Sequence, residues 1–329
     1  MESYVASTDC ESMFEWAPIS LWLEDYGELK NLFDAWRKQG VVDIRAHLQA
    51  APERLLECSR KIRLVRVNRQ TLILCAAQSQ EELVARLSDI FRDDMLESFV
   101  TELENLWSGV FHFTKETVNY ALDGRRIEAQ IHVRVLPGHE ESWSRVMVTL
   151  EDITIRKKIA ANLEYVSTHD SLTGLYNRAF YTSELERIAR QGTWPLCVVV
   201  MDLNGLKRIN DAQGHAAGDA VLRRVGDLLR RAHAMSHPAC SMVRIGGDEF
   251  AALMPGCNEL LAQALIDCIT KLVSESNLHD PEYLISLSIG MATCSAAGDI
   301  DESLHLADQR MFAEKNRFYA AAPIERRIV

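Results

Sequence analysis

The sequence predicts an α+β / α/β chain of two domains joined by a helix, and three observations support this prediction. The 329 residues are enough for about two domains. Apolar residues make up 47% and charged residues 25%, which is ordinary globular composition. Short β-type stretches in the first half give way, after residue 170, to long helical patterns around continuous apolar runs. We expect a mixed N-terminal domain (residues 1–151), a helical linker (152–168) and a C-terminal domain (169–329) with a central mixed sheet flanked by helices.

The N-terminal domain is predicted from short stretches that partly alternate in polarity between turn residues. Asp123-Gly124 and Pro137-Gly138 are such turns. The predicted strands are residues 62–67, 72–75, 109–113, 127–136 and 144–150, and the predicted helices are residues 28–39 and 95–106. About 60 residues precede the first strand, and we interpret them as an expanded part of the same domain.

The linker has an apolar stripe. Ile159, Leu163 and Val166 are spaced four and three residues apart, as in a short coiled coil. An amphipathic helix that packs on its own domain would show the same spacing. Three turns are too few to separate these two interpretations.

The C-terminal domain is predicted from a continuous apolar run at residues 196–201, which is typical of a central strand buried on both faces. Gly192 is a plausible end for the helix that precedes it. The predicted helices are residues 178–191, 219–234, 258–276 and 301–321, and the other predicted strands are residues 241–243, 250–254 and 283–293.

Composition and charge exclude several classes of protein. The net charge of −11 and the pI of about 5.4 argue against a nucleic-acid partner, because phosphate-backbone binding needs a concentrated positive face. The sequence has no apolar run near the ~20 residues of a membrane span, and its start lacks the pattern of a signal peptide. We therefore expect a cytoplasmic protein. Eight cysteines without a CxxC pair indicate reduced thiols rather than disulfides or a zinc site.

The first candidate site follows the apolar run. Asp202 stands where the strand would leave the core, which is where α/β-type sheets place ligands. Gly205 permits close approach to the backbone, and Lys207 adds a positive charge, which together suit phosphates. An ordinary helix cap would explain the same residues.

The second candidate site is a predicted hairpin tip at Gly246 and Gly247, followed by Asp248 and Glu249. Two glycines allow positive φ and remove side-chain bulk, so a flat ligand can approach the backbone. If this hairpin pairs beside the Asp202 strand, Asp202 and Asp248 converge, and their oxygens suit Mg²⁺ that bridges to phosphates. A solvated Gly-Gly turn is the alternative.

The third element is the stretch from Asn210 to Asp219. An amide offers both a donor and an acceptor, and a carboxylate accepts from N1–H and N2–H₂, so the two side chains can bind a guanine edge. Turn and cap residues would look the same. His215 is interpreted as a structural hydrogen-bonding residue rather than a base.

Together these elements resemble the GGDEF family of diguanylate cyclases over residues 168–320. The signature Gly246-Gly247-Asp248-Glu249-Phe250 is intact, and residues 170–178 are similar to the opening D-x-L-T-G-L-x-N-R. Ser288-Ile289-Gly290 and residues 307–315 match the later strand and helix. The resemblance implies a nucleotidyl-cyclase-like fold and the condensation of two GTP to cyclic di-GMP and two pyrophosphates. In that reaction two domains of a homodimer each hold one GTP, and the 3′-hydroxyl of one attacks the α-phosphorus of the other.

The resemblance also implies site roles. Asp248 is the general base, and Glu249 gives metal or charge support. The implied ligands of Mg²⁺ or Mn²⁺, with two ions per site, are Asp202, the Leu203 carbonyl, Asp248 and Glu249. The implied substrate-binding residues are Asn210 and Asp219 for guanine, Gly246 and Gly247 at the turn, and Lys207, Lys315 and the amides of Asn204, Gly205 and Leu206 for phosphates.

Two positions depart from the family pattern. The inhibitory R-x-x-D site is replaced by His237-Pro238-Ala239-Cys240, so we expect no product inhibition through that site. Tyr319 stands where a phosphate-contacting Arg often follows the lysine of the last helix, and Arg317 is nearby in the sequence.

The N-terminal domain resembles a PAS sensor. Residues 148–158 are similar to the D-I-T-x-R-K exit that links PAS domains to output domains, and Val67-Asn68 and residues 123–126 fit earlier parts of that fold. The resemblance implies control by a sensed signal or by a protein partner bound to this domain. The alternative function is a catalytically silent GTP-binding regulator or an interaction protein.

Overall fold

The computed structural model describes residues 9, 11–90, 92–235, 240–281 and 283–321. The chain divides into two compact units, Met1–Ala160 and Ala161–Val329. In the described part no helix is long and apolar enough to cross a membrane.

The first unit contains a five-stranded antiparallel sheet with the strand order β2-β1-β5-β4-β3. Its strands are β1 (Ser20–Asp25), β2 (Arg63–Val67), β3 (His112–Tyr120), β4 (Arg126–Val135) and β5 (Val146–Asp152). Its helices are α1 (Gly27–Lys38), α2 (Ile44–Gln49), α3 (Pro52–Arg60), α4 (Arg69–Leu74), α5 (Gln80–Ala85), α6 (Leu87–Ile90) and α7 (Asp94–Trp107). Helix α8 (Thr154–Thr168) begins in this unit and ends in the second.

Alternating burial explains the core of the first unit. Every second residue of β4 is buried, from Ile127 to Val135, because one face of a half-covered sheet turns inward. Helix α1 buries Leu29, Phe33 and Trp36, which share one helical face and join the same core.

The structure corrects part of the predicted secondary structure in this unit. Residues 72–75, predicted as a strand, lie in and just after helix α4, because the Asn68 side chain accepts a hydrogen bond from Thr71 N and begins a helix there. Short apolar runs do not distinguish strand from helix by periodicity. Strand β1 was not predicted, and of residues 109–113 only the last two belong to a strand, β3.

The second unit contains a four-stranded sheet with the order β7-β8-β6-β9. Its strands are β6 (Leu196–Leu203), β7 (Ser241–Arg244), β8 (Glu249–Pro255) and β9 (Leu287–Cys294). Its helices are α9 (Arg178–Gln191), α10 (Leu206–Gln213), α11 (His215–Ala234), α12 (Glu259–His279) and α13 (Ile300–Ala321). All four strands pair antiparallel, and the parallel component of the predicted mixed sheet is confined, in the described residues, to a bridge between Tyr176 and Val243.

The predicted central strand is confirmed, since all eight residues of β6 are buried between its neighbours β8 and β9. Helix ends follow local signals. Asn177 caps α9 by accepting from Phe180 N, and Gly192 ends it with a left-handed φ of 68°. Asn258 caps α12 in the same way as Asn177 caps α9.

Helix α13 covers the edge strand β9 at close range. A Cβ added at Gly290 would overlap the backbone of Ala307 and Met311, so only glycine fits there. Arg310 Nη1 donates to Met291 O at 2.7 Å, and the Glu314 carboxylate accepts from Ile289 N. These contacts pair strand groups that would otherwise be open at the sheet edge.

Candidate active site

The end of β6 gathers the predicted acidic residues. Asp202 lies opposite Glu249 of β8 in the strand register, and Leu203 N donates to the carbonyl of Asp248 at 2.9 Å. The hairpin between β7 and β8 therefore pairs beside the Asp202 strand. This arrangement is the condition under which Asp202 and Asp248 were expected to converge.

Asp202 is a buried carboxyl with one oxygen occupied and one open. Asp202 is only 3% exposed, and its Oδ2 accepts a hydrogen bond from Lys315 Nζ at 2.7 Å. Oδ1 has no hydrogen-bond partner among the described residues. Burial raises the pKa of Asp202, the hydrogen bond to Lys315 opposes this rise, and the charge of Asp248 adds to it.

Lys315 extends from α13 to this carboxyl. Burial works against its charge, but the hydrogen bond to Asp202 and the negative charges of Asp202 and Asp248 raise its pKa above the ordinary value. The amine therefore remains an ammonium group at neutral pH. It supplies a fixed positive charge at the acidic end of the sheet.

The donor set fits a divalent cation that completes its coordination with substrate. Among the described residues no three His, Cys, Asp or Glu side chains already form a metal cluster. Oε2 of Glu249 lies against the turn, 2.9 Å from where a Cβ at Gly246 would stand. The open Oδ1 of Asp202 and the nearby Asp248 are hard oxygen donors, the type that Mg²⁺ shares with phosphates.

The Gly-Gly turn differs from the expectation in one respect. Neither Gly246 nor Gly247 has a positive φ, so left-handed backbone is not the reason for glycine here. A side chain at Gly246 would collide with Glu249, whereas the space around Gly247 is open. The turn therefore requires glycine at position 246 because glycine has no side chain.

Arg244 holds this turn in place. Its Nε donates to Gly246 O at 3.1 Å and its Nη2 to Gly247 O at 2.8 Å, while Nη1 donates to Asp170 at 3.0 Å. Thr173 also donates to Asp170 through N and Oγ1. Burial alone would raise the pKa of Asp170, but these hydrogen bonds lower it below its ordinary value. Sequence analysis assigned no role to Asp170, which lies in the quoted opening motif, or to Arg244, which stands two residues before the signature.

The loop after Asp202 is more occupied than predicted. Asn204 N donates to Ser286 O at 2.9 Å. Its side chain donates a hydrogen bond to Ser286 Oγ and accepts one from Ser288 Oγ. Asn204 therefore ties the loop to the sheet, and its amide is not open to a phosphate. Gly205 N donates to the hydroxyl of Tyr319 at 3.3 Å, an exposed contact that a ligand can replace.

Helices α10 and α11 place Asn210 against Gly218, the residue before Asp219. A Cβ at Gly218 would overlap Oδ1 of Asn210, so the carboxamide lies directly on the helix backbone next to Asp219. Gly218 was missed by sequence analysis, and a glycine beside Asp219 is its only local signal. Lys207 and His215 are exposed on the same pair of helices. Of the four residues at the expected inhibitory position, 237–239 lie outside the described residues, and Cys240 is buried just before β7.

Comparisons with known proteins agree with the residue pattern. Residues 167–318 match the family model described as diguanylate cyclase, GGDEF domain. The probable diguanylate cyclase DgcE of Escherichia coli is 33% identical over 153 residues, which is 45% of this chain and 13% of DgcE. The cyclic di-GMP phosphodiesterase PdeB of Shewanella oneidensis is 35% identical over 156 residues, 47% of this chain and 18% of PdeB.

Among solved structures, the coiled coil and GGDEF domain of DgcB from Caulobacter crescentus, in complex with c-di-GMP, is similar with a TM-score of 0.43 and 24% identity. The similarity covers 50% of this chain and 89% of that one. The chain spans less than a fifth of the length of DgcE and PdeB. The second unit thus contains a GGDEF domain of the diguanylate cyclase type, and the first unit lies outside the matched residues.

Proposed function

We propose that this chain is a diguanylate cyclase, which condenses two GTP molecules to cyclic di-GMP and two pyrophosphates. One observation supports this most strongly. The buried carboxyl of Asp202, with one oxygen on Lys315 and one open, ends the central strand beside an intact signature hairpin.

The residues divide into three roles in this proposal. Asp202, the Leu203 carbonyl, Asp248 and Glu249 hold Mg²⁺ or Mn²⁺, two ions per site, and Glu249 also adds negative charge. A bound divalent cation neutralises phosphate charge and lowers the pKa of the attacking hydroxyl. Asp248 accepts the proton of that 3′-hydroxyl as the general base.

The remaining residues bind and orient GTP. Asn210 and Asp219 bind the guanine edge, and the contact of Asn210 with Gly218, next to Asp219 in the chain, supports this role. Lys207, Lys315 and the amides of Gly205 and Leu206 hold the phosphates. Gly246 and Gly247 leave room for the nucleotide at the turn that Arg244 fixes.

The reaction requires two GTP-loaded domains, so proximity must come from a homodimer. Helix α8 supports this, because Ile159, Leu163 and Val166 are 55%, 63% and 56% exposed and form one apolar stripe. Leu163→Glu is expected to lower the specific activity at low protein concentration and to recover it at high concentration. Asn162→Glu, which adds the same charge beside the stripe, is the control. Equal activity of both variants at every concentration would exclude the stripe as the dimer contact.

We propose that the first unit is a PAS-like sensory domain, with α8 as the signalling linker. A five-stranded antiparallel sheet and the residues at its exit support this. We also propose that the enzyme lacks product inhibition through the R-x-x-D position, since that sequence is absent. Added cyclic di-GMP is expected to leave the initial rate unchanged at micromolar concentrations.

The test is turnover of the purified chain with GTP and Mg²⁺, with the product resolved by chromatography. Asp248→Asn should abolish cyclic di-GMP formation, whereas Asp267→Asn, an exposed carboxyl on α12, should not. GTP binding without product from the wild-type chain, with Mg²⁺ or Mn²⁺, would instead favour a silent GTP-binding regulator.

A further inference from the structure

The first unit has a cavity between its sheet and helices α6 and α7. The cavity has a volume of about 80 Å³ and is partly open to solvent, so it has room for a small ligand only. The sheet contributes Trp22, Val148 and Leu150, and helix α7 contributes Met95 and Phe99. Most of the wall is apolar, so the cavity suits a ligand with an apolar body.

Two acidic side chains form the charged part of this wall. The hydroxyl of Tyr26 lies 2.8 Å from the Glu24 carboxylate and 3.1 Å from that of Glu102, and all three residues line the cavity. A phenol has one proton to donate, so both contacts are hydrogen bonds only while one carboxyl is itself protonated. Burial raises the pKa of Glu24 to about 8 and that of Glu102 above its ordinary value, in agreement with a shared proton.

No positively charged side chain on the described cavity wall neutralises the negative charge of these two carboxyl groups. Of the described residues that line the cavity, none is Lys, Arg or His. Lys115 is the nearby cation, but its ammonium group donates to the backbone carbonyl of Ser98, and it acts on Glu102 only through its charge. Burial lowers the pKa of Lys115, which weakens that compensation. An anion in this cavity would therefore be repelled, and a cation would be attracted.

We propose that this cavity binds a small organic amine in its ammonium form, with the N–H groups on Glu24 and Glu102 and an apolar body against Trp22 and Phe99. The ligand's charge takes the place of the shared proton. The aromatic rings of Trp22, Tyr26 and Phe99 add cation–π attraction, which a neutral ligand does not receive. This site lies in the first unit, and its existence does not depend on the cyclase activity of the second.

Three probes of one size test the chemistry: n-hexylamine, n-hexanol and hexanoate, titrated into the full-length chain near neutral pH. Calorimetry and tryptophan fluorescence give the dissociation constants. Five of the six tryptophans, Trp22 among them, lie in the first unit, so fluorescence reports on it. We expect hexylamine to bind saturably at one site and at least tenfold more tightly than hexanol, and hexanoate not to bind.

Matched variants locate the site. Glu102→Gln keeps the size and hydrogen-bonding of a protonated carboxyl and should weaken hexylamine at least tenfold without changing hexanol. Glu24→Gln should also weaken hexylamine at least tenfold without changing hexanol. It replaces Glu102→Gln as the test if that variant does not fold. Glu97→Gln, an exposed carboxyl on the same helix α7, should leave all three affinities unchanged. The proposal would be overturned by the probes if hexylamine and hexanol bind equally, if hexanoate binds, or if hexylamine does not bind saturably. It would also be overturned if both cavity variants keep the wild-type affinity for hexylamine.

Discussion

Arg244 and Asp170 form an ion pair that connects the signature turn to the start of the GGDEF domain. The guanidinium donates to both carboxylate oxygens, at 3.0 and 3.2 Å, and also donates to the carbonyls of Gly246 and Gly247. Its side chain is only 13% exposed, so the pair is poorly screened by water. The position of Asp248 and Glu249, which directly follow this turn, therefore depends on a residue 74 positions earlier in the chain.

Breaking this pair should reduce turnover more than it reduces binding. Arg244→Lys keeps the charge but loses the planar fork that reaches four acceptor oxygens. We expect kcat to fall at least tenfold, while KM for GTP changes little. Arg187→Lys, whose ion pair with Glu184 is local to helix α9, is the control. Wild-type kcat in Arg244→Lys would show that the turn keeps its position without the fork.

Tyr319 occupies the Gly205 amide that the proposed mechanism assigns to a phosphate. Removing the hydroxyl with Tyr319→Phe frees this N–H, and one exposed hydrogen bond is worth about 0.5–1.5 kcal/mol. KM for GTP is therefore expected to fall severalfold with kcat unchanged. The neighbouring substitution Phe318→Leu should leave KM unchanged. A higher KM in Tyr319→Phe would mean that the hydroxyl itself helps to hold the substrate.

Gly218 controls the position of Asn210. Gly218→Ala places a methyl group on the carboxamide oxygen and forces the Asn210 side chain away from the helix backbone at position 218. If the two side chains bind guanine, KM for GTP should rise by about tenfold, the loss of one or two hydrogen bonds. Gly298→Ala, where a Cβ meets open space, controls for the loss of glycine itself. Steady-state kinetics that show equal KM for both variants would contradict the assignment of Asn210.

The stability of the first unit should fall as pH rises. Glu24 has a pKa of about 8 in the folded chain against an ordinary value of 4.5. Between these two values the folded state keeps a proton that the unfolded state releases, so the free energy of unfolding decreases with pH, by at most about 1.4 kcal/mol per pH unit. Glu24→Gln should reduce this slope, since the raised pKa of Glu102 also contributes to it, and Glu97→Gln should keep it. Urea unfolding from pH 5 to pH 8, followed by tryptophan fluorescence, measures the free energy of unfolding of the wild type and of each variant. If this free energy rises with pH in the wild type, Glu24 is not buried in its protonated form.

Local sequence signals were sufficient for much of the second unit. The apolar run of β6, the caps at Asn177 and Asn258 and the end at Gly192 are encoded within a few residues, because burial on both faces and helix capping leave compositional traces. The signature motif led to the family that the comparisons report. In the first unit local signals were weaker. A six-residue helix such as α4 offers too few turns for its periodicity to show.

Contacts between distant segments were decided by the tertiary structure. Tyr319 meets Gly205 across 114 positions, and Lys315 meets Asp202 across 113. The cavity acids Glu24 and Glu102 converge only because β1 and α7 pack together. The glycines at 218 and 290 are required by side chains and backbone from other elements, not by their own φ angles. A residue's type and its neighbours in sequence specify what it can bond, but the packing of separate elements determines which partner lies within reach and which polar atom, such as Oδ1 of Asp202, is left open.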